Sequence, residues 1–209
     1  MKNLIIFGDS YSALRGYIPD TYGPYYPKVD VENVADMWWG IFTQSNHYNL
    51  VQNNSWSGTT IGYTGYNNED CSHSRSFIYR YKTLKEKGFF DENTIDVAFV
   101  FGGTNDSWSD APLGEMKFSN WEEKDLFSVL PAICYFAHSL KENLKNAKIV
   151  FIINTDMKKE IENGIKDACK YFGLQFVLLT DIDKENGHPT KKGMMTIREQ
   201  VLQHLANSI

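Results

Sequence analysis

The sequence predicts an α/β protein, a parallel sheet of five strands with helices on both faces. Two observations predict it. Five short apolar runs recur along the 209 residues, at 3–9, 48–55, 95–103, 148–155 and 174–181. Several are nearly continuous rather than alternating, as strands covered on both faces are. Between the runs lie segments with apolar residues at three-four spacing. Strands therefore alternate with helices, and right-handed crossovers distribute those helices over the two faces.

Each element has its own justification. The first run, "NLIIFGD", is apolar up to Gly8 and then turns polar, so a buried strand ends at Ser10. "YNLVQNNS", "IDVAFVFGG", "KIVFIINT" and "LQFVLLTD" end likewise in Gly, Asn, Asp, Ser or Thr. Val34, Met37, Trp38, Ile41 and Phe42 predict one helix, and Phe77, Tyr81 and Leu84 a second. Leu130, Ile133, Phe136, Ala137 and Leu140 predict a third, with Pro131 tolerated near its start. Ile161, Ile165, Ala168, Cys169 and Phe172 form a fourth stripe, closed by Gly173 at the C-cap. Met194, Ile197, Val201 and Leu205 form the last. Such stripes are core faces before they are anything else. Two stretches, 17–30 and 106–125, resist regular assignment and are rich in aromatics, Pro and Gly. Long ordered loops of this kind tend to carry function.

Composition narrows the class. An apolar fraction of 42% suffices for a real core, and the length fits one domain spanning 1–209. A net charge of −5 argues against nucleic acid or an anionic membrane as partner. No apolar run approaches the ~18 residues of a membrane span. Leu4–Phe7 is too short for a signal-peptide core, so the expected location is the cytoplasm; a secreted chain trimmed of its signal would read the same. Cys71, Cys134 and Cys169 are widely spaced; Cys134 and Cys169 sit in helical patterns and read as buried thiols, and for Cys71 a catalytic pair with His73 is a minor alternative. His47, His73, His138 and His204 lack metal-ligand spacing. No phosphate-binding loop, dinucleotide fingerprint or G-x-S-x-G elbow is present.

In a doubly wound sheet, ligands gather at the carboxyl ends of the strands. Four segments there have unusual tails: Gly8-Asp9-Ser10 after the first strand, Asn54-Ser55 and Gly58 after the second, Gly103-Thr104-Asn105-Asp106 after the third, and His188-Pro189 ahead of the last helix. Taken singly, each has a plain reading. Ser10 can be a helix N-cap, Asn105 a turn residue, Gly58 a turn glycine and His188 a loop histidine.

Together, in this order and over almost the whole chain, the four segments resemble the blocks of the GDSL-type, or SGNH, hydrolases. The resemblance implies a three-layer α/β/α, flavodoxin-like fold and a serine esterase working without metal or cofactor. It implies Ser10 as nucleophile and His188 as general base. The Ser10 and Gly58 backbone N–H groups and the Asn105 side-chain amide are its implied oxyanion donors. The chemistry suits the residue types: a serine hydroxyl needs a base to take its proton, and fixed neutral donors must meet the charge that develops on the carbonyl oxygen. Asp9 and Asp106 read as structural, bonding backbone groups at strand ends. One position departs from the family pattern. Glu185, not Asp, stands three residues before His188, with Asp183 its competitor and a backbone carbonyl the third way to hold the ring. By spacing, Glu185 is the expected acid. The expected partner is a small-molecule ester, with a short acyl group on a carbohydrate preferred, because Tyr17, Tyr22, Tyr25, Tyr26, Trp56, Tyr63, Tyr66, Trp108 and Trp121 offer faces for sugar rings. The plain alternative is that these aromatics anchor loops. Other readings of function are a lysophospholipase or thioesterase, and a non-catalytic carbohydrate-binding protein on the same scaffold.

Overall fold

The computed structural model describes residues 1–207. Five strands, β1 (Lys2–Gly8), β2 (Tyr48–Ser55), β3 (Val97–Phe101), β4 (Lys148–Ile153) and β5 (Gln175–Leu178), form one parallel sheet in the order β2-β1-β3-β4-β5. Each coincides with one of the five apolar runs. The order reverses at β1, whose two neighbours are β2 and β3 and whose carboxyl end therefore opens onto a crevice between diverging connections. Register along β1 and β3 pairs Gly8 with Phe101, and along β1 and β2 pairs Gly8 with Ser55. The ends of all three strands thus stand side by side.

The pleat sorts the strand residues onto two cores. Ile5, Phe7, Ala98, Val100, Ile149, Phe151 and Ile153 face one, with α2 (Phe77–Glu86), α5 (Val129–Asn143) and α6 (Lys159–Phe172). Leu4, Ile6, Val97, Phe99, Phe101, Val150 and Ile152 face the other, with Trp38, Trp39, Phe42 and α7 (Lys191–Asn207). Alternate residues of every central strand are buried on opposite faces, which explains the continuous apolar runs. The result is the expected three-layer arrangement.

Two predictions need correction at the element level. The stripe from Val34 to Phe42 is not one helix. It is a 3-10 turn, Val34–Asp36, and the short α1 (Gly40–Gln44). Asn33 and Asp36 cap the turn reciprocally, and Met37 is extended, at φ −73° and ψ 147°. The apolar spacing survives because both pieces face one core, but the extended backbone at Met37 ends the capped turn before α1 begins. The other correction is a hairpin. β6 (Lys184–Glu185) and β7 (His188–Pro189) pair antiparallel through Asn186-Gly187, in a segment the sequence leaves as loop. Two further short helices, α3 (Phe89–Glu92) and α4 (Thr104–Trp108), complete the chain order.

Candidate active site

β1 ends at Gly8 for a steric reason. A Cβ there would meet Ser55 Oγ at 2.5 Å and Ser12 Cβ at 2.7 Å. The chain then turns sharply. Asp9 is extended, its Oδ1 accepts the Tyr11 N–H at 3.0 Å, and a 3-10 turn runs from Ser10 to Ser12. The N-cap is therefore Asp9, and Ser10 is left free of capping. Its Oγ lies 3.0 Å from His188 Nε2, a contact between residues 178 positions apart.

His188 is held on three sides. Its Nδ1 lies 3.2 Å from the Asn186 carbonyl oxygen. A carbonyl only accepts, so Nδ1 carries the proton and Nε2 presents its lone pair to Ser10. Tyr25 stacks flat on the ring, 3.7 Å between centroids and 8° between planes. Trp108 closes the far edge at 6.0 Å. The hairpin beneath is tied to the turn that carries Ser10, the Tyr11 hydroxyl donating to the Gly187 carbonyl, and to Tyr26, whose hydroxyl donates to the Pro189 carbonyl at 2.8 Å. Asn186 and Gly187 both have positive φ, 50° and 77°, the backbone of a two-residue hairpin turn, for which Asn-Gly is the preferred pair. That dipeptide was the sequence signal for the element that presents His188.

The expected acid does not reach the ring. Glu185 is the cross-strand partner of His188, yet it is exposed and makes no hydrogen bond to it. Among the described residues no carboxylate oxygen lies within 4 Å of either ring nitrogen, and Nδ1 is already engaged by the turn's own carbonyl. The Glu185 charge is felt instead at Tyr25, whose hydroxyl is pushed above the usual phenol range first by burial and then by Glu185. Asp183 turns to Thr190, receiving its hydroxyl and backbone N–H ahead of α7.

Asn105 is the second residue of α4, behind a Gly103 at φ 94°. Its Nδ2 faces the Thr59 carbonyl at 3.1 Å and Asp9 Oδ2 at 3.3 Å, while its Oδ1 accepts the Tyr66 hydroxyl at 2.8 Å. Gly58 sits at φ 70° with open space where a Cβ would be, so only glycine adopts this turn cheaply and the backbone stays open to a ligand. Neither the Ser10 nor the Gly58 N–H has an acceptor among the described residues. Asp106 accepts Ile61 N–H at 3.0 Å and Gly62 N–H at 3.4 Å, fixing the segment after Gly58 to α4.

Arg80 of α2 was missed in the sequence. It is 2% exposed, and among the described residues no carboxylate forms a salt bridge with it. Its guanidinium donates instead to Gly8 O at 3.1 Å, to Asn54 Oδ1 at 2.5 Å, to the Asn54 carbonyl, to Thr59 Oγ1 at 3.2 Å and to Arg75 O at 3.1 Å. It thus ties the ends of β1 and β2 to the loop after them. Its signal was position: Phe77, Arg80, Tyr81 and Leu84 share one helical face, so a charge stood inside an apolar stripe.

Burial sets the electrostatics. Desolvation raises the Asp9 carboxyl to about 7, against its bond from Tyr11 N–H. Desolvation likewise raises Asp106 to about 6, and lowers Arg80 to about 9. Burial also pulls the His188 imidazole below its usual value, outweighing the bond to Asn186.

The aromatics divide. Tyr26 and Tyr63 are buried, and Trp121 packs on Tyr135 and His138. These three anchor loops and offer no sugar-binding face at the site. One face of Tyr25 is taken by His188. Tyr17 packs edge-on against Trp39. Trp108, 42% exposed, and the stacked Tyr22–Trp56 pair, 4.0 Å apart, remain at the rim.

Comparison with known proteins fits this geometry. The family model described as GDSL-like Lipase/Acylhydrolase matches residues 2–205. A candidate GDSL-like lipase from Bacteroides ovatus is 36% identical, with 99% of each chain covered and a TM-score of 0.88. One from Bacteroides uniformis is 37% identical over 99% of this chain and 96% of that one, also at 0.88. An acetyl xylan esterase from the rumen bacterium Butyrivibrio proteoclasticus shares the fold, at 20% identity, 99% and 64% coverage and a TM-score of 0.58. No curated protein matches the chain.

Proposed function

Because the chain belongs to the GDSL-like lipase/acylhydrolase family and is an ester-hydrolysing enzyme, we propose that it works through an acyl-Ser10 intermediate on a short-chain ester, an acetyl group on a carbohydrate being the preferred substrate. The observation that carries this reading is the 3.0 Å contact between Ser10 Oγ and an Nε2 whose lone pair is turned toward it. As Oγ attacks the ester carbonyl, its proton passes to Nε2. The carbonyl oxygen becomes an oxyanion among the Ser10 N–H, the Gly58 N–H and Asn105 Nδ2. His188 returns the proton to the leaving alkoxide. Water then repeats the sequence on the acyl-serine, releasing the acid and restoring the Ser10 hydroxyl. His188 is oriented by the Asn186 carbonyl, so the site is a Ser-His dyad with Glu185 a bystander. Three oxyanion donors supply the larger share of stabilisation, each typically about 3 kcal/mol.

Two features support a carbohydrate alcohol. Trp108, 42% exposed, has its ring centroid 6.0 Å from that of His188, and Trp56 of the stacked Tyr22–Trp56 pair stands two residues before Gly58. The structural likeness to a carbohydrate esterase agrees with this choice.

A fluorophosphonate probe with an acyl-chain panel tests the reading. The wild type is expected to take the label at Ser10 and to release acetate from acetylated xylo- or cello-oligosaccharides faster than it cleaves long-chain p-nitrophenyl esters. Ser10→Ala is expected to lose labelling and several orders of magnitude in kcat while keeping its Tm. Near wild-type turnover in Ser10→Ala would remove the nucleophile assignment. A preference for long acyl chains would replace the substrate.

A further inference from the structure

Asn105 presents its amide through a residue outside the four sequence blocks. The Tyr66 hydroxyl donates to Asn105 Oδ1 at 2.8 Å, and it is the one donor on that oxygen among the described residues. The opposite side of the amide faces two acceptors, the Thr59 carbonyl and Asp9 Oδ2. Reversing the amide would set its oxygen against both acceptors and lose the phenol bond. Orientation is therefore determined by three contacts from three different segments.

Local structure brings Tyr66 there. Asn67 and Asn68 both have positive φ, 56° and 59°, and form a tight turn closed by Gly65 N–H to Glu69 O and Glu69 N–H to Tyr66 O, 2.8 and 3.1 Å. The stem of this turn is tied to α4 through Asp106 and the Ile61 and Gly62 amides. The hydroxyl is thereby carried on the same rigid unit as the amide that it meets. Burial first, with Asp9 and Asp106 adding, pushes the phenol up to about 12, so the group stays a donor through the working range.

We infer that Tyr66 is a positioning residue for the oxyanion hole: by donating to Oδ1 it keeps Asn105 Nδ2 on the side of Thr59 and Asp9 and polarises the amide, and the hydrogen on the longer Asp9 contact, 3.3 Å, is the one that turns to the oxyanion. Hydrogen bonds in a chain polarise one another, so a donor on the carbonyl end makes the amide a better donor at the other. The effect belongs to the transition state, where the oxyanion exists, and not to ground-state binding. The inference rests on Asn105 being an oxyanion donor, as proposed above.

A double-mutant cycle with p-nitrophenyl acetate separates the possibilities. Tyr66→Phe removes one oxygen and keeps the ring. It is expected to lower kcat about tenfold, the worth of one hydrogen bond, with KM within twofold and Tm nearly unchanged. Asn105→Ala is expected to lower kcat by about 10²–10³. Tyr66→Phe added to Asn105→Ala is expected to cost less than twofold more, since nothing is left to position. Multiplicative losses, a rise in KM alone, or an unchanged kcat in Tyr66→Phe would overturn the inference and leave the esterase reading standing. A wild-type kcat in Asn105→Ala would instead overturn the oxyanion assignment, and this inference with it.

Discussion

At the scale of single residues, the site turns on which atom holds the imidazole. A carbonyl contributes no charge to stabilise the imidazolium, so burial dominates and the His188 pKa lies below ~6.5. Only the neutral ring accepts the Ser10 proton, so kcat/KM is expected to rise through an apparent pKa below 6.5 and to be flat by neutrality. A pH profile with p-nitrophenyl acetate checks it; a midpoint well above 6.5 would point to a carboxylate partner after all. The companion prediction concerns Glu185. Glu185→Gln is expected to keep kcat within about threefold, whereas loss of a true triad acid costs about four orders of magnitude. That Ser10, Asn105 and His188 stand at the crevice was legible in the sequence, because each is a specific residue type at the end of a specific strand or ahead of a specific helix. The group at Nδ1 was not, because spacing alone does not say which group a ring nitrogen will meet. Asn186 supplies its backbone, which any residue has. Arg80 hid for the opposite reason: its side chain spoke, but from within a helix that was read for its apolar face.

At the scale of elements, the five strands and four of the five helical stripes coincide with regular structure in the molecule. Burial on both faces leaves the clearest trace a sequence can carry. The failures are short. A helix broken at an extended Met37 and a hairpin of two-residue strands have too few residues for periodicity to register. The hairpin matters most, since it presents the base. Gly187, at φ 77°, also lies where a Cβ would come within 3.2 Å of the Trp108 ring. Gly187→Ala is expected to destabilise the protein by about 1–2 kcal/mol in urea unfolding, through the left-handed backbone alone. It is also expected to lower kcat more than it raises KM, because the strain is released by moving His188. A variant that unfolds more easily but turns over normally would show that the hairpin tolerates the shift.

At the scale of the whole molecule, the sequence announced two faces and a rim but not the order of the strands. Right-handed crossovers permit several orders, and nothing in an apolar run says which neighbour it takes. The order that forms brings three strand ends to one crevice and sinks two carboxyls, Asp9 and Asp106, beneath it. Their folded pKa values are raised by burial, to about 7 and about 6, above the ~3.9 of an unfolded aspartate. By linkage, each contributes stability that is fully present below pH ~4 and is lost as pH rises through its folded value. Asp106→Asn keeps an acceptor for Ile61 and Gly62 without the charge. Its Tm relative to wild type is therefore expected to climb between pH 5 and 7.5. A constant difference across that window would mean that Asp106 is ionised throughout.

The 178 positions between Ser10 and His188 also set a schedule. A chain leaving the ribosome exposes Ser10, the proposed nucleophile, first, then Gly58, then Asn105, and His188, the proposed base, after all of them. Until His188 is made, Ser10 has no partner to take its proton. The two ends must also close a very long loop before they meet, and such closure comes late in folding. On the proposed mechanism, hydrolytic power therefore waits until His188 has been made and has met Ser10 across the fold.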